Sequence, residues 1–322
     1  MAMIEVFHLV PALLIGALAV YTTVARDTFA ATVGFIAYGL MLTVAWVQLH
    51  GVDVALTESA IGGGLTGLLL VRASAKLRAT EAAARAERPR ASTRLAAAIL
   101  AAAVSAGLAI AVLSLPDPAP TLAPEVLANI GPTGVGNPIT AVLMAFRATD
   151  TLLEAIVLLL ALVGVWSLAP DRVWGGRPGP RYNADPDGIL AFIARVLPPI
   201  GIIVGIYIFW VGADDPGGKF QGATIVAAMW LLVLMAGLTD APPISRRLLR
   251  AGLVAGPVAF IAIGFAGVAT AGAFLAYPEG WSKPLILVVE FALMPSLALT
   301  LGLIMAGAPE RAEAASPREA AP

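Results

Sequence analysis

Apolar residues along the chain form nine blocks, separated by short segments that contain turn-forming or charged residues. A helix of about 20 apolar residues crosses the roughly 30 Å hydrocarbon core of a bilayer. The blocks have this length, so they predict an all-α fold, a polytopic transmembrane helical bundle with about nine spans. The predicted spans are residues 4–25, 28–48, 52–71, 95–115, 149–168, 189–211, 220–238, 253–274 and 285–305.

Basic residues between the blocks predict the orientation of the bundle, because Lys and Arg are enriched in cytoplasmic loops. The segments that contain most of them follow the odd-numbered spans: Arg26, then residues 72–94, 172–181 and 246–250, and the tail with Arg311 and Arg318. Lys219 and Lys283 lie in segments on the opposite side. This distribution predicts an N-terminus outside and a C-terminus inside.

Composition supports the membrane assignment and excludes several kinds of chemistry. The chain is 59% hydrophobic and 13% charged, with mean hydropathy +0.88, whereas soluble domains contain about 25% charged residues. Its formal net charge of −1 provides no field that would attract nucleic acid. It has no cysteine, and its two histidines, His8 and His50, lie far apart in sequence. We therefore expect no metal site and no cofactor.

Three polar segments divide the chain. Residues 73–93 are rich in Ala, Arg and Glu, which predicts a charged cytoplasmic helix or linker. The proline-rich segment 116–136 predicts an extended, irregular outer loop. Residues 169–188 contain many Gly and Pro residues, which prevent a continuous helix and predict a joint between fused modules.

Glu58 is the clearest ionisable residue inside a predicted span. Such residues cost about 2.5 to 3.5 kcal/mol each on insertion scales, so they favour a functional interpretation. Gly62, Gly63, Gly64 and Gly67 follow it, and they permit close helix contact or a local break near the acid. Two interpretations stay open, namely an acid on an ion path and a tightly packed helix contact.

A second group comprises Arg147, Asp150 and Glu154, whose spacing places them on one face of a helix at the outer end of the fifth span. Carboxylates in a medium of low dielectric constant can exchange protons with water near neutral pH. The arginine would tune such a relay, because a guanidinium does not release its proton. A static ion pair at the membrane interface is the alternative.

Glu290 lies in the last predicted span, five residues before Pro295, which would kink that helix. It either lines an outer half-channel or extends from a shallow position to the headgroups. No lysine falls within the predicted spans, whereas pumps that move protons laterally usually need a buried lysine beside a carboxylate. The sequence therefore predicts that this chain lacks a complete pump.

The segment between the sixth and seventh spans, with Pro216, Gly217, Gly218, Phe220, Gln221 and Gly222, contains the residues of a tight reversal. On its own this pattern is typical of a hairpin turn. Its Gly-Gly-Lys is not a phosphate-binding loop, because the preceding strand and the spaced first glycine are missing.

Three of these segments together resemble a known family. Residues 54–65 (VALTESAIGGGL) are similar to the small D domain (MbhD) of membrane-bound hydrogenases, and residues 137–154 (NPITAVLMAFRATDTLLE) to the neighbouring E domain. Residues 215–222 (DPGGKFQG) resemble the Pro-Gly-Gly-Gly-Phe-Gln-Gly loop of the MnhB (MrpB) protein of Mrp/Mnh-type multisubunit sodium/proton antiporters. Lys219 stands where that loop usually has glycine.

The resemblance implies four regions: an MbhD-like three-helix module (1–78), a hydrogenase E-like two-helix module with an outer loop (79–172), an MnhB-like four-helix module (173–308) and a disordered cytoplasmic tail (309–322). It implies that Glu58, Arg147, Asp150, Glu154 and Glu290 line part of an ion or proton pathway. The long antiporter-like domain of the family's largest protein is missing from this sequence.

The function that the resemblance implies is that of an accessory membrane subunit of a multisubunit monovalent cation/proton antiporter in the bacterial inner membrane, not an enzyme. Its expected partners are other integral membrane subunits, monovalent cations and protons. Two alternatives stay open: a membrane-arm subunit of a complex I-like group 4 hydrogenase or oxidoreductase, and a purely structural membrane adaptor. An independent small-solute carrier is disfavoured, because the sequence shows no inverted repeat.

Overall fold

The structure is a computed structural model that describes residues 2–86, 90–183 and 185–311, and its helices follow the predicted apolar blocks. The α-helices are α1 (Ala2–Val24), α2 (Thr28–Gln48), α3 (Val52–Thr57), α4 (Gly67–Ala86), α5 (Ala91–Leu113), α6 (Ala123–Asn129), α7 (Pro138–Ala141), α8 (Ala148–Ser167), α9 (Ile189–Val211), α10 (Lys219–Met235), α11 (Arg247–Ala271) and α12 (Ser282–Ala306). Two π-helices, Glu58–Thr66 and Val142–Phe146, continue α3 and α7.

Seven helices in the described part of the chain are long and apolar enough to cross a membrane. Two shorter apolar helices, His8–Val24 and Lys219–Met235, complete the set of predicted blocks. Helices α2 and α9 have the predicted bounds, and the others differ by up to six residues at an end, except that α4 extends into the charged segment after the third block. The prediction of an all-α polytopic membrane bundle is confirmed.

Helix α12 is the centre of the C-terminal half of the chain. It packs against α8, α10 and α11, and α9 packs against α10. Its buried side chains include Ile286, Val289, Leu293 and Leu301, each no more than 1% exposed. Helix α5, in contrast, buries none of its described side chains. The apolar surface of α5 is therefore not covered by the other described helices.

The N-terminal helices pack through glycine. Helix α2 contacts α1, the first π-helix and α4. A Cβ atom at Gly39 of α2 would lie 3.0 Å from the backbone nitrogen of Gly63, and one at Gly67 would lie 2.6 Å from the Ile36 side chain. Small residues at such contacts let helix backbones approach closely in a membrane. Of the two options left open for the glycines after Glu58, the structure shows both the close helix contact and, in the π-helix, a local departure from regular α-helix.

A seam joins the N-terminal helices to the C-terminal half. Its middle is apolar, where Leu65 and Leu68 pack on the cluster formed by Leu231, Leu234 and Met305. At one end the Arg72 guanidinium donates to the backbone carbonyls of Met305 and Ala306, which lie at the C-terminus of α12. Such carbonyls have no partner within their own helix, so Arg72 caps α12 from the N-terminal helices.

The glycine- and proline-rich linker is ordered by backbone pairing. Strand β1 (Arg177–Pro178) pairs antiparallel with β2 (Pro309–Arg311), so the predicted tail begins with a strand, and its residues 312–322 lie outside the described part. The Arg311 guanidinium donates to Asp240 Oδ1 at 2.7 Å and thereby lowers the pKa of that carboxyl.

The proline-rich segment 116–136 is more regular than predicted. It contains α6 and a 3₁₀ turn at Gly131–Thr133. Proline has no N–H donor, but the N–H groups at the first positions of a helix have no acceptor within the helix. These prolines therefore start short helices instead of preventing them. Residues 135–137 then contact the loop before α10, where Gly136 N and Asn137 N both donate to Ala213 O.

Candidate functional site

A cavity of about 230 Å³ with charged side chains in its wall lies between the N-terminal helices and the C-terminal half. Residues of α3, α7, the second π-helix, α8, the loop before α10, α10 and α12 form its wall. The lining residues are Asp53, Val54, Thr57, Ile139, Thr140, Leu143, Met144, Glu154, Gly217, Gly218, Lys219, Phe220, Gln221 and Glu290. The cavity therefore gathers three carboxylates and one ammonium from segments that are distant in sequence.

Lys219 and Glu290 form a buried ion pair in this cavity. Lys219 Nζ lies 3.5 Å from Glu290 Oε1, and the two side chains are only 8% and 3% exposed. The prediction that no lysine lies within a span is thus wrong, because α10 begins at Lys219 and carries its side chain inward. Glu290 is also not shallow, since it lies eight residues into α12, about 12 Å from the helix start by helical rise.

The turn before α10 directs Lys219 into the cavity. Gly217 and Gly218 have φ of 154° and 143°, a region that favours glycine. A Cβ atom at Gly212 would lie 2.5 Å from the Cα of Gly218. The turn therefore folds tightly against the end of α9, and no side chain separates Lys219 from the bundle.

Asp53 holds this turn from the N-terminal helices. Its Oδ1 atom accepts the N–H of Gly217 at 3.0 Å and the Nδ2 of Asn137 at 3.2 Å. Gln221 donates in turn to Thr57 Oγ1 at 3.0 Å. The segment predicted as a hairpin turn is therefore also a polar contact between the N-terminal helices and the C-terminal half.

Other residues of that segment pack rather than bind. Phe220 lies against the main apolar cluster. A Cβ atom at Gly222 would lie 2.5 Å from Gly205 O, so this glycine lets α10 and α9 cross closely. Pro216 lies exposed at the tip of the turn.

The second π-helix borders the pair on the other side. Lys219 Nζ also contacts Met144 Sδ at 3.3 Å, and Tyr277 Oη donates to Met144 O at 2.8 Å. Burial and the nearby charge of Glu290 raise the pKa of Tyr277, which lies in the loop before α12, so its hydroxyl stays protonated. Distorted π-helical turns are frequent at functional sites, since they redirect carbonyls and side chains.

The predicted ladder of Arg147, Asp150 and Glu154 separates into two parts. Arg147 precedes α8 with φ of −131° and ψ of 38°, so it does not continue the helical face. It pairs with Asp150 at 2.6 Å, and both side chains are more than half exposed. Glu154 lines the cavity instead. The structure therefore brings Glu154, but not the other two, together with Glu290.

Glu58 lies beside the cavity but does not line it. It begins the first π-helix, and its half-buried carboxylate lies against Gly39 of α2. A Cβ atom at Gly62 would collide with this carboxylate. The glycines after Glu58 thus make room for its side chain, as well as for the neighbouring helix.

Four polar residues of the cavity wall were not among the candidates from the sequence: Asp53, Thr57, Thr140 and Lys219. The signal for Lys219 was its position, directly after two turn glycines and directly before an apolar helix. The signal for Asp53 was a charge in the first turn of a predicted span. Asp53 and Lys219 become candidates because the turn folds onto α3, a contact that the sequence does not show.

These features define the chain as a multi-pass α-helical membrane protein with a charged cavity between its two ends. Two family models match the ends separately. Residues 13–79 match MbhD, the D subunit of MBH, and residues 189–308 match a domain related to the MnhB subunit of Na⁺/H⁺ antiporter. The chain carries both domains, and its resemblance to Mrp/Mnh-type antiporter subunits is confirmed. The hydrogenase E-like segment stays a prediction.

Solved structures share the fold over large parts of this chain. A chain of the Mrp complex from Dietzia sp. DQ12-45-1b superposes with a TM-score of 0.71 and 22% identity, over 95% of this chain and 35% of that one. A chain of the membrane-bound sulfane sulfur reductase (MBS), an archaeal respiratory membrane complex, gives a TM-score of 0.55 and 23% identity, over 66% of this chain and 97% of that one.

A curated relative from Methanocaldococcus jannaschii, itself described as uncharacterized, is 24% identical over 156 residues. The match covers 44% of this chain and 60% of the relative. This chain thus matches only part of that protein and about a third of the matched Mrp-complex chain.

Proposed function

We propose that this protein is a membrane subunit of a multisubunit monovalent cation/proton antiporter of the Mrp type, and that it lines part of the ion or proton path. It is a transport subunit rather than an enzyme, with nine spans, an outer N-terminus and an inner C-terminus in the bacterial plasma membrane. The observation that carries the proposal is the buried Lys219–Glu290 pair in the wall of a cavity that also contains Asp53 and Glu154. Charged residues are costly inside a membrane, and they are found there mainly where ions or protons move.

Its partners are other integral membrane subunits. Helix α5 buries none of its described side chains, although it is 23 residues long, and the small residue Ala is the commonest in it. Small residues of this kind are enriched where transmembrane helices meet. The matched Mrp and sulfane sulfur reductase structures are those of complexes, which supports an assembled state for this chain too.

We further propose the domain arrangement that the resemblance implies, with an MbhD-like module over 1–78, a hydrogenase E-like module over 79–172 and an MnhB-like module over 173–308. Within this arrangement the cavity takes residues from all three modules: Asp53 from the first, Glu154 from the second, and Lys219 with Glu290 from the third. Glu58, Arg147 and Asp150 would lie along its approaches.

Replacing Glu290 tests this function. Everted vesicles that contain the complete complex with Glu290→Gln should lose cation-driven proton exchange by about tenfold or more, because a neutral amide neither takes up a proton nor balances Lys219. Glu279→Gln is the matched control, since Glu279 is an exposed loop acid near the start of α12. Normal exchange in an assembled Glu290→Gln complex would favour the structural adaptor.

A second candidate is a membrane-arm subunit of a complex I-like redox assembly. The match to the MbhD family and the fold shared with the sulfane sulfur reductase complex support it. Mild detergent extraction, followed by identification of every copurifying chain, separates the two candidates. Redox subunits in the purified assembly would favour the second candidate, whereas membrane antiporter subunits alone would favour the first.

A further inference from the structure

The cavity contains more negative than positive side chains. Its wall carries the carboxylates of Asp53, Glu154 and Glu290 against the single ammonium of Lys219. With all four ionised, three negative charges and one positive charge leave an excess of two negative charges. A second, independent feature points the same way: within the described residues, Glu290 Oε2 is buried without a hydrogen-bond partner. This oxygen has capacity to accept another positively charged group.

The remaining polar atoms of the wall suit an alkali cation. Thr57 and Thr140 contribute hydroxyl oxygens, and the amide oxygen of Gln221 lies close to the backbone of Gly218. Hard cations bind through carboxylate, carbonyl and hydroxyl oxygens. A lysine ammonium is a compact unit charge, so at 3.5 Å from Glu290 Oε1 it occupies a place that a monovalent cation would take.

Few interactions stabilise the Lys219 ammonium in its observed position. Lys219 is the first residue of α10, where the positive end of the helix dipole disfavours a cation. Besides Glu290, its ammonium contacts the thioether sulfur of Met144, a weak acceptor. The four-carbon stem of lysine also leaves the ammonium free to change rotamer.

We propose that Lys219 is a tethered cation that competes with free alkali cations for Glu290, so that this lysine sets how weakly the cavity binds Na⁺ or K⁺. Removal of the ammonium opens a cation site bounded by Glu290, Glu154 and Asp53. The proposal rests on the proposed function only for the idea that cations reach the cavity. Its test is a binding measurement and does not require transport.

The experiment uses the purified complex and follows its thermal unfolding midpoint while NaCl or KCl replaces N-methylglucamine chloride at constant ionic strength. A ligand that binds only the folded state raises the midpoint with its concentration. We expect Lys219→Met to reach half of its maximal stabilisation at an alkali cation concentration about tenfold or more below that of the wild type. Lys283→Met is the matched control, because Lys283 pairs with Asp214 outside the cavity.

Two further variants make the result decisive. Lys219→Arg keeps the charge and should respond like the wild type, whereas the double variant Lys219→Met/Glu290→Gln should lose the gained response. An unaltered response of Lys219→Met, or an equal gain in Lys283→Met, overturns the proposal. If Lys219→Met fails to assemble in N-methylglucamine, Na⁺ or K⁺ during purification should restore assembly, and failure at every cation concentration overturns the proposal as well.

The outcomes also separate this proposal from the proposed function. If Lys219→Met gains cation binding and Glu290→Gln shows normal exchange, the proposal that Lys219 competes with cations stands and the transport role is rejected. Loss of exchange in Glu290→Gln without any gain of binding in Lys219→Met would do the reverse.

Discussion

Asp53 Oδ1 accepts the backbone N–H of Gly217 at 3.0 Å, although the two residues are 164 positions apart. This bond connects the MbhD domain to the turn that begins the second helix of the MnhB-related domain. Gly217 is buried, so its N–H loses its acceptor when Asp53 is removed. The position of Lys219 in the cavity therefore depends on a residue of another domain.

Replacement of Asp53 by alanine should loosen this turn. A buried donor that loses its acceptor costs about 1 to 3 kcal/mol, so we expect the thermal unfolding midpoint of the purified complex to fall. Asp117→Ala is the control, because Asp117 lies exposed in the segment between α5 and α6. Equal midpoints for the two variants would show that the Asp53 bond does not stabilise the turn.

The Lys219–Glu290 pair should show strong coupling in a double-mutant cycle. Removal of one partner leaves an uncompensated buried charge, which costs about 3 to 5 kcal/mol. The doubly apolar variant Lys219→Met/Glu290→Leu should be less destabilised than the sum of the single variants Lys219→Met and Glu290→Leu, because neither charge is then left alone. Denaturant unfolding of the assembled complex measures the four states. Additive effects would mean that the two groups do not interact.

Close packing at Gly39 gives a prediction about stability that does not involve the cavity. A methyl group at this position would lie 3.0 Å from Gly63 N, so Gly39→Ala should destabilise the N-terminal helices by about 1 to 3 kcal/mol. Gly107→Ala is the matched control on α5, where an added Cβ meets no atom within 4 Å. A Gly39→Ala protein as stable as the control would contradict the observed contact between α2 and the first π-helix.

The ion pair between Asp214 and Lys283, outside the cavity, predicts a dependence on acid pH. Hydrogen bonding from Lys283, at 2.7 Å, lowers the pKa of Asp214 from its ordinary value of 3.8. A carboxyl with a lowered pKa contributes stability that is fully present above its ordinary pKa and is lost as the pH falls through the lowered value. The difference in unfolding midpoint between wild type and Asp214→Asn should hence stay constant from neutral pH to about pH 4 and shrink below it. A difference that shrinks already near neutral pH would require another titrating group.

Most of the fold was predictable from the sequence, because helices in a membrane require uninterrupted apolar blocks of known length. Residues 189–211 form a helix with the predicted bounds for this reason. The proline-rich segment 116–136 was less predictable, since prolines both interrupt helices and start them, and α6 contains one at its second position.

The candidate site was only partly predictable. Glu154 and Glu290 were identified because an acid inside an apolar block is conspicuous on its own. The sequence placed Lys219 in a loop on the outer side. Its burial could not be predicted, because it follows from the way the preceding turn folds onto Asp53. A contact between residues so far apart in the chain leaves no periodic pattern that could be read beforehand. The same reason explains why Arg147 and Asp150, conspicuous in sequence, lie exposed outside the cavity.

Accessibility of the cavity to water and reagents can be measured directly, because the chain contains no cysteine of its own. Val54→Cys introduces a thiol on the cavity wall, and Val20→Cys introduces one on the exposed apolar surface of α1. Water-soluble thiol reagents attack thiolates, which form in water and not in lipid.

Proton exchange by the reconstituted complex, measured before and after treatment with a cationic thiol reagent, is the most direct test of the central claim that ions or protons pass through this cavity. We predict that treatment stops exchange in Val54→Cys and leaves exchange unaltered in Val20→Cys and in the wild-type complex. Complete labelling of Cys at position 54 with full retention of exchange, or no labelling there at all, would contradict the account.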